Sequence, residues 1–282
     1  MSVHINVFLN KFIYVCYMKT AIAFLTNNPH KKTLSFAEQI GDETDFDVFI
    51  IDDTLHPIIK SSNYEVVQIA ESHCKNSGYI NSNISLGVTH INKNPIAYDK
   101  FLLYFCCMNK KYNFVWVFED DVFIPSPQTI VKLHESNSIY DLVTPNNFQK
   151  TDTAPDWHWP HIFNKHEPPY FYSMVCAAGF SKEMLSAVSE YVKLNKSLFY
   201  IEAMFNTLAF HNDLLVSTPR ELKSVVYKGE WSLDDFVLLP DSVFHPLKNK
   251  GDYDLYRKQI AKAKANNYQP KKDLPLFIPP CK

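Results

Sequence analysis

The chain has 282 residues, 46% of them apolar and 15% aromatic, and 28 Lys and Arg against 30 Asp and Glu leave a net charge of −2. Charges so nearly balanced exclude a chain-wide basic field for nucleic acid or anionic membrane. Only six glycines are present, where average usage of about 7% gives roughly twenty, and no Gly-x-Gly occurs, which excludes glycine-rich phosphate cradles and the dinucleotide fingerprint.

Residues 1–17 are apolar but broken by His4, Asn6, Asn10 and Lys11, and their longest uninterrupted run, Phe12 to Met18, is too short to span a bilayer. With no basic start and no small-residue cleavage site, they read as an extension ahead of a domain beginning at residue 18. An amphipathic contact with a membrane surface is the alternative. Six cysteines without a C-x-x-C pair read as buried free thiols of a reducing compartment.

From residue 21 strands and helices alternate. Ala21–Thr26 and Asp47–Asp53 predict buried strands, Val66–Ile69 a third, and Lys32–Ile40 a helix closed by Gly41. Ala97–Met108 is apolar on all faces and predicts a buried helix, and Tyr112–Phe118 is the most apolar strand. Asp141–Pro145 predicts a further strand, and Ser181–Leu194 a helix capped by Ser181, followed by a helix over Leu198–Phe210. The pattern predicts an α/β fold, a mainly parallel sheet covered by helices on both faces. It forms one domain over 18–282, with a nucleotide-type half (18–150), an aromatic, helical half (151–252) and a C-terminal helix and arm (253–282).

Chemistry concentrates at Phe118–Ile124, where Glu119, Asp120 and Asp121 end the most apolar strand. Three acids there are costly if buried unpaired, which places them at the open carboxyl edge of the sheet, where α/β folds bind ligands. Carboxylates on a free edge make a hard oxygen site suited to Mg2+ or Mn2+; an acidic turn in water is the plain alternative. Asp52 and Asp53 end a second strand at the same edge, and Asp241–Lys248 offers His245, fixed by a following proline, with Lys248 beside it. Asp99 and Lys100 face either a nucleotide or solvent. In the proline- and aromatic-rich stretch 151–172, Trp157 and Trp159 offer faces for stacking on sugar rings and Asp156, His158 and His161 offer polar edges. A loop packed down by its own aromatics is the alternative.

A strand ending in Glu-Asp-Asp, a small-residue turn over Cys176–Ser181 with Gly179, an acid at a helix head in Tyr200–Phe205, and a late His-Pro occur in an order that resembles the GT-A glycosyltransferases. The resemblance spans residues 20–250. It implies a Rossmann-type GT-A fold of the D-x-D kind, with a divalent ion, Mn2+ or Mg2+, held against a nucleotide-sugar diphosphate. By this resemblance Asp121 and His245 bind the ion, Glu119 or Asp120 contact the ribose or the ion's waters, and Lys248 lies near the diphosphate. Asp52 or Asp53 holds the nucleoside, Lys100 faces the donor, and Gly179 lets the backbone approach the sugar. Glu202 is the base that deprotonates an acceptor hydroxyl, with Asp156 the second choice, since the family's usual acid pair is here Glu202-Ala203.

The expected activity is transfer from a UDP-sugar to a hydroxyl of a glycan or glycoprotein, with inversion. The absence of an anchor or disulfide pattern looks like enzymes of large DNA viruses of algae, which act in the host cytoplasm, and the late motifs are similar to a xylosyltransferase. A metal-dependent phosphoesterase and a non-catalytic sugar-binding module are the alternatives. Neither nucleic acid nor stable membrane insertion is expected.

Overall fold

The computed structural model describes residues 19–54, 57, 60–82, 94–151, 159, 162–227, 229–266 and 268. Residues 1–17, Asp156, Trp157, His158, His161 and the arm at 270–280 lie outside the described residues.

Alternating apolar side chains make strands that bury both faces. In β1 (Thr20–Thr26), Ala21, Ala23 and Leu25 enter one core while Ile22 and Phe24 enter the other. Parallel to β1 run β2 (Asp47–Asp52) on one side and β4 (Phe114–Glu119) on the other, with β3 (Glu65–Gln68) outside β2. Beyond β4 the sheet continues through β8 (Ala177–Ser181), antiparallel to it, then β5 (Leu142–Val143) and β9 (Val216–Ser217), in the order β3-β2-β1-β4-β8-β5-β9. A short ribbon of β6 (Phe148–Gln149) and β7 (Phe171–Tyr172) stands apart. The expected mixed, mainly parallel sheet flanked by helices is therefore present.

One face is covered by α1 (Lys31–Glu43) and α4 (Pro127–Asn137) through Phe36, Ile40, Ile130 and Leu133. The other carries α2 (Glu71–Ser77), α3 (Ala97–Leu103), α5 (Lys182–Asn195) and α6 (Ile201–His211). Ser181 caps α5, its hydroxyl accepting from the Met184 N–H at 3.1 Å. A third apolar cluster, Phe123, Phe236, Phe244, Leu247, Tyr253 and Ile260, joins α7 (Leu233–Leu238) and α8 (Tyr253–Ala265) to the segment after β4. Arg257 of α8 lies 3.8 Å above the Phe36 ring and donates to the Ile124 carbonyl at 3.2 Å. No helix among the described residues is long and apolar enough to cross a membrane.

Three expectations need correction. Gly41 does not close α1 but lies within it, and the helix ends at Thr44, whose N–H reaches the Ile40 carbonyl at 3.0 Å. Glycine is needed there because a Cβ would sit 2.4 Å from the Asn63 carbonyl oxygen. The predicted helix Ala97–Met108 is α-helical only to Leu103 and then widens into a π turn over Tyr104–Met108, closed by Asn109 N–H to Tyr104 carbonyl at 2.8 Å. The thiols are not uniformly buried: Cys74, Cys106 and Cys176 are, but Cys107 is exposed.

Candidate active site

Because β1, β2 and β4 are parallel and in register, with Leu25 opposite Glu119 and Thr26 opposite Asp52, their acidic ends gather at one edge. Val122 N–H bonds the Glu119 carbonyl at 3.0 Å, a tight turn that presents Asp120 and Asp121 to either side of the strand axis. Asp120 is tied down, accepting from the Thr26 hydroxyl at 2.8 Å and pairing with Lys250. Asp121 faces the C-terminal segment. There Phe123 and Phe244 exchange backbone hydrogen bonds and the Leu247 N–H donates to the Asp121 carbonyl at 2.8 Å. That pairing sets His245 beside Asp121, Nε2 to Oδ1 3.3 Å, and Lys248 on the other carboxylate oxygen.

His245 is buried and its Nδ1 lies 2.8 Å from the Val226 carbonyl, which can only accept. Nδ1 therefore donates there, and Nε2 faces Asp121, donating to it when protonated and turning a lone pair toward it when not. Two lone-pair atoms facing each other are what a cation bridges. Burial raises the Asp121 carboxyl, but hydrogen bonds with His245 and Lys248 outweigh it and hold the group at about 2. Glu119 behaves oppositely: burial and the charge of Asp121 push it up. Glu119, Cys176 and His245 each place a ligand atom within 4.8 Å of the other two. A carboxylate, an imidazole and a second carboxylate fit a divalent ion by their donor chemistry.

Glu202 sits in the first turn of α6. Its carbonyl accepts from the Ser173 N–H at 2.8 Å, which ties the helix head to the strand-like run leading into Cys176. Burial raises its carboxyl to about 7, a hydrogen bond from Tyr200 opposes the rise, and the nearby Glu119 charge adds to it. A carboxyl poised near neutrality at a sheet edge is suited to take a proton.

Several expected residues stand elsewhere. Gly179 is inside β8, not in a turn, opposite Trp116; a Cβ would meet Phe114 at 2.7 Å and Trp116 at 2.9 Å, so glycine serves ring packing. Trp159 is 4% exposed, its ring against Tyr172 with Lys150 above, and it offers no open face to a sugar. Asp52 is 1% exposed and accepts from Thr54 N–H and Oγ1, both at 3.1 Å, and from Gln68 at 2.9 Å, so its carboxylate closes its own turn. Lys100 is buried and pairs with Asp53 at 3.0 Å while donating to the Asp53 carbonyl, so it braces that turn and does not face a donor. Asp53 itself stays at the edge, its N–H on the Thr26 carbonyl at 2.8 Å.

Two neighbours were missed by sequence reasoning. Tyr200, at the head of α6, hydrogen-bonds Glu202. Cys176 follows from pairing: Phe118 is opposite Ala177, and the Glu119 N–H donates to the Cys176 carbonyl at 2.8 Å, so knowing that β8 returns antiparallel to β4 puts Cys176 beside Glu119. Burial and the Glu119 and Glu202 charges push its thiol well up.

No family model matches the chain. No curated protein matches it. Solved structures similar to it include an active-site mutant of LgtC, with 8% identity, a TM-score of 0.42 and coverage of 86% of this chain and 95% of that one. The bifunctional glycosyltransferase WbbM, in its apo form, is similar at 11% identity and a TM-score of 0.47, over 89% of this chain and 52% of that one. Mouse xyloside xylosyltransferase 1 is similar at 8% identity and a TM-score of 0.36, over 72% and 84%.

Proposed function

We propose that the chain is a metal-dependent glycosyltransferase that moves a sugar from a nucleoside diphosphate, UDP by preference and UDP-xylose as the candidate donor, to a hydroxyl of a glycan or glycoprotein. The observation that carries this reading is the meeting of Asp121, His245 and Lys248 at the sheet edge with Glu202 on the neighbouring helix head, two groups joined electrostatically through Glu119 and His245. Asp121 and His245, with Glu119, would hold Mn2+ or Mg2+, which when bound neutralises charge growing on the diphosphate.

This chain's own residues supply the rest. The Lys248 side chain is 78% exposed, so its ammonium turns from Asp121 to a diphosphate oxygen without desolvation. Asp53 lies at the edge for the nucleoside, and Glu202 takes the proton of the attacking hydroxyl, which favours inversion. A phosphoesterase usually needs a second cluster of metal ligands, and among the described residues Glu119, Cys176 and His245 form the one group of three.

The test is thermal shift with UDP-, GDP- and CMP-sugars, each with Mn2+ or with chelator. A rise with UDP-sugars that needs the ion and is lost in Asp121→Ala supports the proposal. A UDP affinity indifferent to chelator overturns it.

A further inference from the structure

We propose that Cys176 is a ligand of the metal centre, which makes it a mixed oxygen, nitrogen and sulfur site that binds cobalt, zinc or cadmium in preference to magnesium. The inference rests on the metal centre of the proposed function and specifies its chemistry. His245 belongs to two sets of donors: it lies 3.3 Å from Asp121, and it, Glu119 and Cys176 place ligand atoms that are all within 4.8 Å of one another. Ligands of one tetrahedral ion, with metal–sulfur about 2.3 Å and metal–nitrogen about 2.0 Å, lie roughly 3.5 Å apart.

The backbone already fixes the approach, because the Glu119 N–H holds the Cys176 carbonyl at 2.8 Å on one flank and Leu247 and Val226 hold Asp121 and His245 on the other. Cys176 is 8% exposed and borders the apolar cluster, and its thiol hydrogen-bonds the Glu119 carboxylate, so the sulfur reaches the acidic cluster. On binding, the S–H bond breaks, its proton leaves to solvent, and the sulfur electron pair forms the bond to the ion. Thiolate favours softer ions, whereas carboxylates alone suit magnesium and manganese.

The experiment titrates the full chain, freed of metal by chelator, carrying Cys107→Ser to remove the thiol exposed among the described residues and Cys16→Ser and Cys281→Ser to remove the two outside them, with Co2+, and compares it with the same chain bearing Cys176→Ser. A near-ultraviolet thiolate-to-cobalt charge-transfer band that disappears in Cys176→Ser supports the inference, as does a fall of about tenfold or more in Cd2+ over Mn2+ preference. Co2+ bound, as shown by competition with Mn2+, without that band, or with the band intact in Cys176→Ser, overturns it and leaves the proposed function standing. Failure of the parent to bind Co2+, Cd2+ or Mn2+ overturns both. Should Cys176→Ser not melt cooperatively, the cadmium chemical shift of the parent separates a sulfur-bearing shell, as expected, from an oxygen and nitrogen shell, which overturns the inference.

Discussion

The two ends of the parallel strands both carry acids, and the acids meet unequal fates. At the amino end, Asp47 opens β2 and is paired with Lys19 at 2.7 Å, lies 3.9 Å from Lys111 and accepts from the Tyr112 hydroxyl. Partial burial raises its carboxyl, but those hydrogen bonds hold it below the ordinary range. At the carboxyl end, burial raises Glu119 and Glu202, with the Asp121 charge adding to the first and the Glu119 charge to the second. A hollow of ≈ 510 Å³ opens at the satisfied end, lined by Asp47, Glu65, Lys111 and Tyr112 among others. Buried acids with raised carboxyls, and not this hollow, mark the end proposed to bind a ligand.

The sharpest way to break this comparison is to neutralise one acid at each end. Asp121→Ala should lower metal-dependent transfer at least about a hundredfold, whereas Asp47→Ala should leave kcat/KM unchanged. Steady-state kinetics on both variants decides it, and equal losses would end the contrast.

Next in size are two opposed pH slopes, measured by denaturant unfolding in chelator. Glu202 stands at about 7 against 4.5 for a free carboxyl. The folded chain keeps a proton the unfolded chain has released, so stability is full below pH 4.5 and falls as pH rises to about 7. His134, near the amino end, is held by burial at about 4 against 6.5, with Trp116 donating to its Nδ1 at 3.3 Å and Thr20 beside its Nε2 at 3.2 Å. Here the unfolded chain binds the proton first, so stability is full above pH 6.5 and falls as pH drops to about 4. Each slope is worth up to about 3 kcal/mol across its window, and between pH 4.5 and 6.5 they cancel. Relative to the parent, Glu202→Gln should tilt the stability profile upward with pH there, and His134→Gln should tilt it downward. Glu202→Gln should also lose transfer by about a hundredfold or more.

Smaller effects sharpen the picture. Gly179→Ala should destabilise by about 1–3 kcal/mol through overpacking against Phe114 and Trp116, with UDP-sugar affinity unchanged in the folded fraction. Asp47→Ala, at a pair whose side chains are 48% and 36% exposed, should cost under about 1 kcal/mol.

What the chain alone revealed follows from the range of the forces involved. The parallel strands were legible because burial on both faces writes unbroken apolar runs, and the acids after Phe118 and the pairing-ready His245 were legible because charge at the end of such a run has few places to go. Gly179, Trp159, Asp52 and Lys100 were misplaced because their roles depend on partners distant in sequence, such as Lys150 and Tyr172 for Trp159, Gln68 for Asp52, Asp53 for Lys100 and Trp116 for Gly179. Cys176 and Tyr200 were missed because neither residue type announces a site; only the antiparallel return of β8 and the head of α6 bring them to it.

The backbone bridge between Phe123 and Phe244 joins parts of the chain more than a hundred residues apart. Closing so long a loop is slow relative to forming neighbouring strands. A nascent or clipped chain that has built β1, β2 and β4 but lacks residues beyond 243 would possess the sheet and Asp121, yet neither His245 nor Lys248. Under the proposed function, donor binding therefore reports the docking of residues 244–248 beside Asp121.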